Sequence, residues 1–181
     1  IINKKIGDFY TALTFHEMAL AIRKVAPGED DPLLADTYYH MADALDAKGN
    51  KERALEFFDN SLEIRLLALG KNHPSVADSY AMAAALYNNR QELSKTLEYS
   101  MKALSIRVNA YGENHIKVAE SHYLTGVAYA GLGEIQSAFG HFDKALDIIL
   151  IVGGPNHHLV ATIQTVVNQI VGAVQKCEED G

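Results

Sequence analysis

Ser61-Leu62-Glu63-Ile64-Arg65 is followed by Gly70, by His73-Pro74 and by Val76-Ala77, and this string returns along the 181-residue chain. Its first part recurs every 42 residues, as Ala19-Leu20-Ala21-Ile22-Arg23, Ala103-Leu104-Ser105-Ile106-Arg107 and Ala145-Leu146-Asp147-Ile148-Ile149. Gly28, Gly112 and Gly154 keep the step of Gly70. Asp31-Pro32, His115-Ile116 and His157-His158 echo His73-Pro74, and Leu34-Ala35, Val118-Ala119 and Val160-Ala161 echo Val76-Ala77. Four copies in register without an insertion are the signature of a repeat array, in which each unit buries its apolar face against the next.

Each unit reads as two helices. Val76, Tyr80, Ala83 and Tyr87 fall at steps of four, three and four, which is one helical face, and Leu34, Tyr38, Met41 and Leu45 repeat it one unit earlier. Pro74 sits where a first-turn proline loses no hydrogen bond. A turn carrying Gly49-Asn50 or Gly133-Glu134, with Gly7-Asp8 as a partial copy, leads into a second helix marked by Leu55, Phe58 and Leu62. The prolines at 27, 32, 74 and 155 all fall in expected loops, and no stretch alternates with the period of a strand. The expected fold is all-α, an α-α superhelix of antiparallel helix pairs. Its expected division is a partial unit over 1–28, units over 29–70, 71–112 and 113–154, and a partial unit or cap helix over 155–181. Both ends stop inside a unit, and the chain opens on Ile1, so it reads as an excised piece.

Composition narrows the function. With 16 Lys and Arg against 23 Asp and Glu, the formal charge is −7, which leaves no basic excess to neutralise nucleic-acid phosphates. The single cysteine, Cys177, can make neither an internal disulfide nor a cysteine-based zinc site, which points to a reducing, cytoplasmic setting. Residues 159–175 carry no charge, and Ile148 to Val152 is an unbroken apolar run, yet Gln164, Asn168 and Gln169 argue against a membrane role. Residues 148–175 are instead a candidate homo-oligomer interface, or a face that further sequence covers.

Small residues select the repeat class. Ala42, Ala84 and Gly126 lie midway along the first helices, and Ala12, Ala54 and Ala138 lie twelve residues on, with Thr96 as the exception. Small side chains there let two helices approach closely. The 42-residue period also suits HEAT or armadillo units. The small residues, Tyr87 and Tyr129 closing the first helix, and the A-L-x-I-R…G-x-x-H-P-x-V-A string resemble tetratricopeptide repeats of the long kinesin-light-chain type, over about residues 7 to 170. That type is similar to the roughly 34-residue unit with a longer second helix.

The resemblance implies a concave groove lined by first helices that holds an extended or helical peptide. In that geometry Asp36, Tyr39, His40, Asp43 and Asp46 face inward, followed by Asp78, Ala81, Met82, Asn88 and Asn89, then Glu120, Tyr123 and Leu124. Such a groove is acidic, so it favours a basic or neutral peptide over an acidic one. Tyr39 and Tyr123 would then be hydrophobic anchors, and Asn88 and Asn89 hydrogen-bonding groups. Asp36, Asp78 and Glu120 lie near helix N-termini, where the helix dipole alone favours a carboxylate. Asp43 and Asp46 lie near a C-terminus, where it does not. Kinesin light chains typically carry paired asparagines on the first helix, and the matching positions here are Tyr39-His40, Ala81-Met82 and Tyr123-Leu124.

No cofactor, metal or catalytic centre is expected. The chain has no nucleophile elbow, Walker loop, paired-histidine zinc helix or dinucleotide turn. His73, His115 and His157 recur at one loop position, where packing of the turn at the start of a helix accounts for them. The tail residues Glu178, Glu179 and Asp180 would raise the Cys177 pKa rather than activate the thiol. Arg23, Arg65 and Arg107 read as inter-helix ion-pair partners. The expected function is a protein-interaction scaffold, as a cargo or complex adaptor. The alternatives are a homo-oligomerising structural scaffold, or a sensor array of a larger signalling protein.

Overall fold

The structure, a computed structural model, describes residues 32–179 together with Thr14 and Met18. Gly7, Ala12, Arg23 and Gly28 of the first partial unit and Asp31 of the next lie outside these residues, as does the side chain of Cys177. Seven helices follow in order: α1 Pro32–Ala47, α2 Lys51–Leu69, α3 Pro74–Asn89, α4 Leu93–Tyr111, α5 Ile116–Gly131, α6 Ile135–Val152 and α7 His158–Glu179. No strand occurs among the described residues. Pro32 and Pro74 are the first residues of α1 and α3, so the loop expected at Pro32 is already helix. A proline there gives up only an N–H that has no helical partner.

The chain divides into two compact units, Ile1–Leu86 and Tyr87–Gly181. In the first, α1 packs along α2, with Leu34, Tyr38, Met41 and Leu45 buried on one face. Ala42, Leu45, Ala54, Phe58 and Leu86 form its core cluster, and Met82, Leu55 and Tyr39 pack partly against it. Ala42 and Ala54 are fully buried, as the small-residue pattern requires. In the second unit α5 packs along α6 and against α4, and α7 follows on α6. Phe142, Ile149 and Ile163 are fully buried in its core. Gly126 sits so close to Phe142 that an added Cβ would meet the ring at 2.7 Å, which is why the smallest residue of the series stands there.

The turns obey the repeat with one departure. Gly49 and Gly133 adopt φ of 79° and 81°, and the matching residue of the middle repeat, Gln91, is held at 61°. The left-handed region is unstrained for glycine and costly for a residue with a Cβ. Asn50 then caps α2, its side chain accepting from the Arg53 N–H at 3.4 Å.

The loop histidines have a definite structural task. His73, His115 and His157 each accept through Nδ1 from the backbone N–H two residues on, Ser75 at 3.2 Å, Lys117 at 3.1 Å and Leu159 at 3.3 Å. Each therefore satisfies one of the N–H groups that the first turn of α3, α5 or α7 leaves without a helical partner. The ring of His115 also stacks on Tyr111, with centroids 4.3 Å apart.

Candidate peptide-binding surface

In the first unit, α1 carries five of the residues expected to face a partner. Asp36, His40 and Asp43 are exposed, and Tyr39 and Asp46 are half-buried. Asp36 accepts from Nη2 of Arg65 at 2.8 Å. That guanidinium is buried, lies 4.8 Å from the centroid of the Tyr39 ring, and donates through Nη1 to Ser79 at 2.7 Å and the Ser75 carbonyl at 2.9 Å. Tyr39 in turn stands edge-on to Phe58, with centroids 5.6 Å apart. One face of Asp36 and Tyr39 is thus committed to holding α1 and α3 against α2. Asp43 and Asp46 enter no ion pair among the described residues. Asp78 and Met82 on α3 are half-buried, with Met82 against the core, while Ala81 is buried and presents nothing to a partner.

In the second unit, Asn88 is half-buried and Asn89 exposed at the end of α3. On α5, Glu120, Tyr123 and Leu124 are all half-buried. Glu120 lies 3.7 Å from the buried Arg107, which donates to Ser121 at 2.8 Å and the Lys117 carbonyl at 2.9 Å. Tyr123 leans on Phe142, with centroids 6.2 Å apart, and burial pushes its hydroxyl above the ordinary tyrosine pKa. Arg65 and Arg107 are the inter-helix partners that the repeat pattern suggested, whereas Arg23 lies outside the described residues.

The helix-dipole account of the first three carboxylates needs correcting. None of α1, α3 and α5 has an acidic residue in its first turn, and the dipole acts little beyond that turn. For Asp36 and Glu120 a buried arginine supplies the positive charge instead.

One pair that sequence reasoning passed over stands out. His122 on α5 and His141 on α6 bring their Nδ1 atoms within 2.9 Å, with ring centroids 5.1 Å apart. Such a contact needs one nitrogen to donate and the other to accept, so the pair cannot be doubly protonated as it stands. Burial, with the Lys144 charge and His141 beside it, lowers the His122 pKa to about 4, and burial lowers that of His141. The signal lay in the repeat register. Tyr38 and Phe57 hold the same two positions in the first unit, with centroids 5.6 Å apart, so two histidines replace an aromatic pair. Among the described residues no group of three or more His, Cys, Asp or Glu is arranged to hold a metal ion.

Paired helices of this length, joined by short turns and repeated in register, define a helical-repeat protein. The tetratricopeptide repeat family profile matches residues 2–66 and 76–150, and the chain belongs to that family. Repeats of this kind generally mediate protein–protein binding. BtubC (BKLC) from P. vanneervenii is similar in structure, with a TM-score of 0.76 and 23% identity, over 82% of this chain and 59% of that one. The chain thus spans less than two thirds of that protein. A Podosopora anserina protein named after kinesin light chain, with nearly identical TPR-like repeats, is similar at a TM-score of 0.78 and 20% identity, over 97% of this chain and 84% of its own. A MamA RS-1 double mutant is similar at a TM-score of 0.58 and 21% identity, over 95% and 90% of the two chains. At these identities the likeness is one of fold. No curated protein matches the chain in sequence.

Proposed function

We propose that the chain is a non-catalytic protein-interaction scaffold that holds a basic or neutral peptide, or the face of a helix, on its first-helix surfaces, as a complex adaptor does. The observation that carries this reading is the state of the carboxylates on α1. Asp36 is answered by Arg65, while Asp43 and Asp46 stand beside the exposed His40 with no ion pair among the described residues. Near the C-terminus of a helix such charges gain nothing from the dipole, so a partner of opposite sign is the natural complement. In the second unit Tyr123 and Leu124 offer half-buried apolar contact beside Glu120, and Asn88 and Asn89 offer amides. Asp36, Tyr39, Asp78 and Met82 frame the surface in the first unit. A cytoplasmic location belongs to this reading and rests on the single cysteine of the chain. Fluorescence anisotropy against basic-hydrophobic, neutral and tryptophan-acidic peptide pools at two salt concentrations tests it. The expected result is preference for the basic pool, weakened by salt and by Asp43→Asn with Asp46→Asn. Preference for the tryptophan-acidic pool would overturn the charge argument.

A second reading, self-association, is favoured by the end of the chain. Leu150, Ile151 and Val152 on α6 and Val171 and Val174 on α7 are exposed. No helix of the described residues is long and apolar enough to cross a membrane. A mass that rises with concentration in analytical ultracentrifugation, and falls back with Ile151→Asp, would favour this reading.

A further inference from the structure

The second unit contains a cavity of about 330 Å³ on a different side of α5 from Glu120, Tyr123 and Leu124. Its floor is aliphatic, formed by Leu104 and Val108 of α4, Val118 of α5 and Ile148 of α6. Its polar lining consists of Glu113 and Asn114 from the loop before α5, His122, and Lys144 and Asp147 of α6. The volume is at the small end of ligand pockets, about 300–1,000 Å³, and suits one compact molecule.

The charges round this cavity are not paired with one another, whereas several on α4 are. Glu92 pairs with Lys95 and Arg90 at 2.8 Å, and Glu98 pairs with Lys102 at 2.7 Å. Glu113, Lys144 and Asp147 form no ion pair among the described residues, although they surround one space. His122 is buried at the same cavity, and its Nδ1 is taken up by His141. Its Nε2 is the ring nitrogen that this contact leaves. The repeat keeps this set only in part: Glu113 and Asp147 stand in register with Lys71 and Ser105 one unit earlier, and with Glu29 and Glu63 two units earlier.

We propose that this cavity binds a small zwitterion with an aliphatic body, of which a free apolar α-amino acid is the simplest case. The ammonium is met by the Glu113 and Asp147 carboxylates, the carboxylate by Lys144 and the Asn114 amide, and the side chain lies on Leu104, Val108, Val118 and Ile148. Both signs in the lining call for both signs in the ligand. A simple amine would face the Lys144 charge unanswered, and a simple acid would face two carboxylates. The site is independent of the peptide-binding reading, and a failure of either leaves the other standing.

Isothermal titration calorimetry of the chain with L-leucine, 3-methylbutylamine and 4-methylpentanoate tests the assignment, with nitrogen NMR of the imidazoles as the positional readout. Leucine is expected to bind saturably and to shift the His122 Nε2 resonance. The amine and the acid, each lacking one charged group, are expected to bind about tenfold more weakly or worse. Lys144→Met should bring leucine down to the level of the amine, and Asp147→Asn should weaken it similarly. Both residues are exposed, so circular dichroism should show both variants folded. Absence of saturable leucine binding up to about 10 mM, the weak limit of useful ligand affinity, would overturn the proposal. So would binding that leaves His122 unshifted, or an amine that binds as tightly as leucine.

Discussion

Arg107 donates from Nη1 to the hydroxyl of Ser121 at 2.8 Å, as Arg65 does to Ser79 at 2.7 Å one repeat earlier. One repeat later the same two positions are Ile149 and Ile163, both fully buried in one cluster. The array therefore holds two solutions at one inter-helix contact: a buried, hydrogen-bonded guanidinium, or a purely apolar pair.

That equivalence predicts a coupled double-mutant cycle. Arg107→Ile strips two hydrogen bonds from the α4–α5 contact, and Ser121→Ile removes an acceptor from a buried guanidinium and crowds the site. Each alone is expected to cost about 2–4 kcal/mol. The double variant reproduces the Ile149–Ile163 arrangement and should fall within about 1 kcal/mol of the parent, as apolar replacement of a buried polar pair often does. Urea unfolding of the four proteins measures the coupling, and additive losses would contradict the equivalence.

Gln91 spends folding energy on its backbone. Its φ of 61° lies in the region where the other two turns place glycine. Gln91→Gly should therefore stabilise the chain by about 1 kcal/mol, less what glycine loses through unfolded-chain entropy. A rise in melting temperature of a few degrees is the expected readout.

The histidine pair gives stability an acid limit. His122 takes up a proton near pH 4 when folded, against an ordinary value of 6.5. Between those values the unfolded chain binds more protons, so stability is complete above about pH 6.5 and falls as pH drops toward 4. His141 is lowered by burial in the same direction. With allowance for partial solvent access, the loss by pH 4.5 is about 1–2 kcal/mol. His122→Tyr with His141→Phe installs the Tyr38–Phe57 pair of the first unit and should flatten the urea midpoint between pH 7.5 and 4.5.

The loop histidines are caps, and caps can be exchanged. His115→Ala removes the acceptor for the Lys117 N–H and should cost about 1 kcal/mol. His115→Asn keeps an acceptor but loses the ring stacked on Tyr111, so it should recover most of that loss. Recovery only by an aromatic residue would instead assign His115 to packing. Denaturant midpoints of these two variants and of His115→Phe decide between these outcomes.

What the sequence determined by itself is the helix-pair repeat. Apolar spacing at Leu34, Tyr38, Met41 and Leu45, small residues at Ala42 and Ala54, and glycine at Gly49 and Gly133 act within a turn or two of helix. Their meaning is local, and the 42-residue step displays it repeatedly. The tertiary structure alone decided which polar residues are already engaged. Asp36 meets an arginine 29 positions along the chain, and His122 meets a histidine 19 positions on. Separations of that kind depend on how one helix lies against the next. Two carboxylates on one helix can look equivalent in the chain, yet one is tied to a buried guanidinium and the other faces solvent. Glu113, Lys144 and Asp147 likewise became a set only when the packing of α4, α5 and α6 left a space between them.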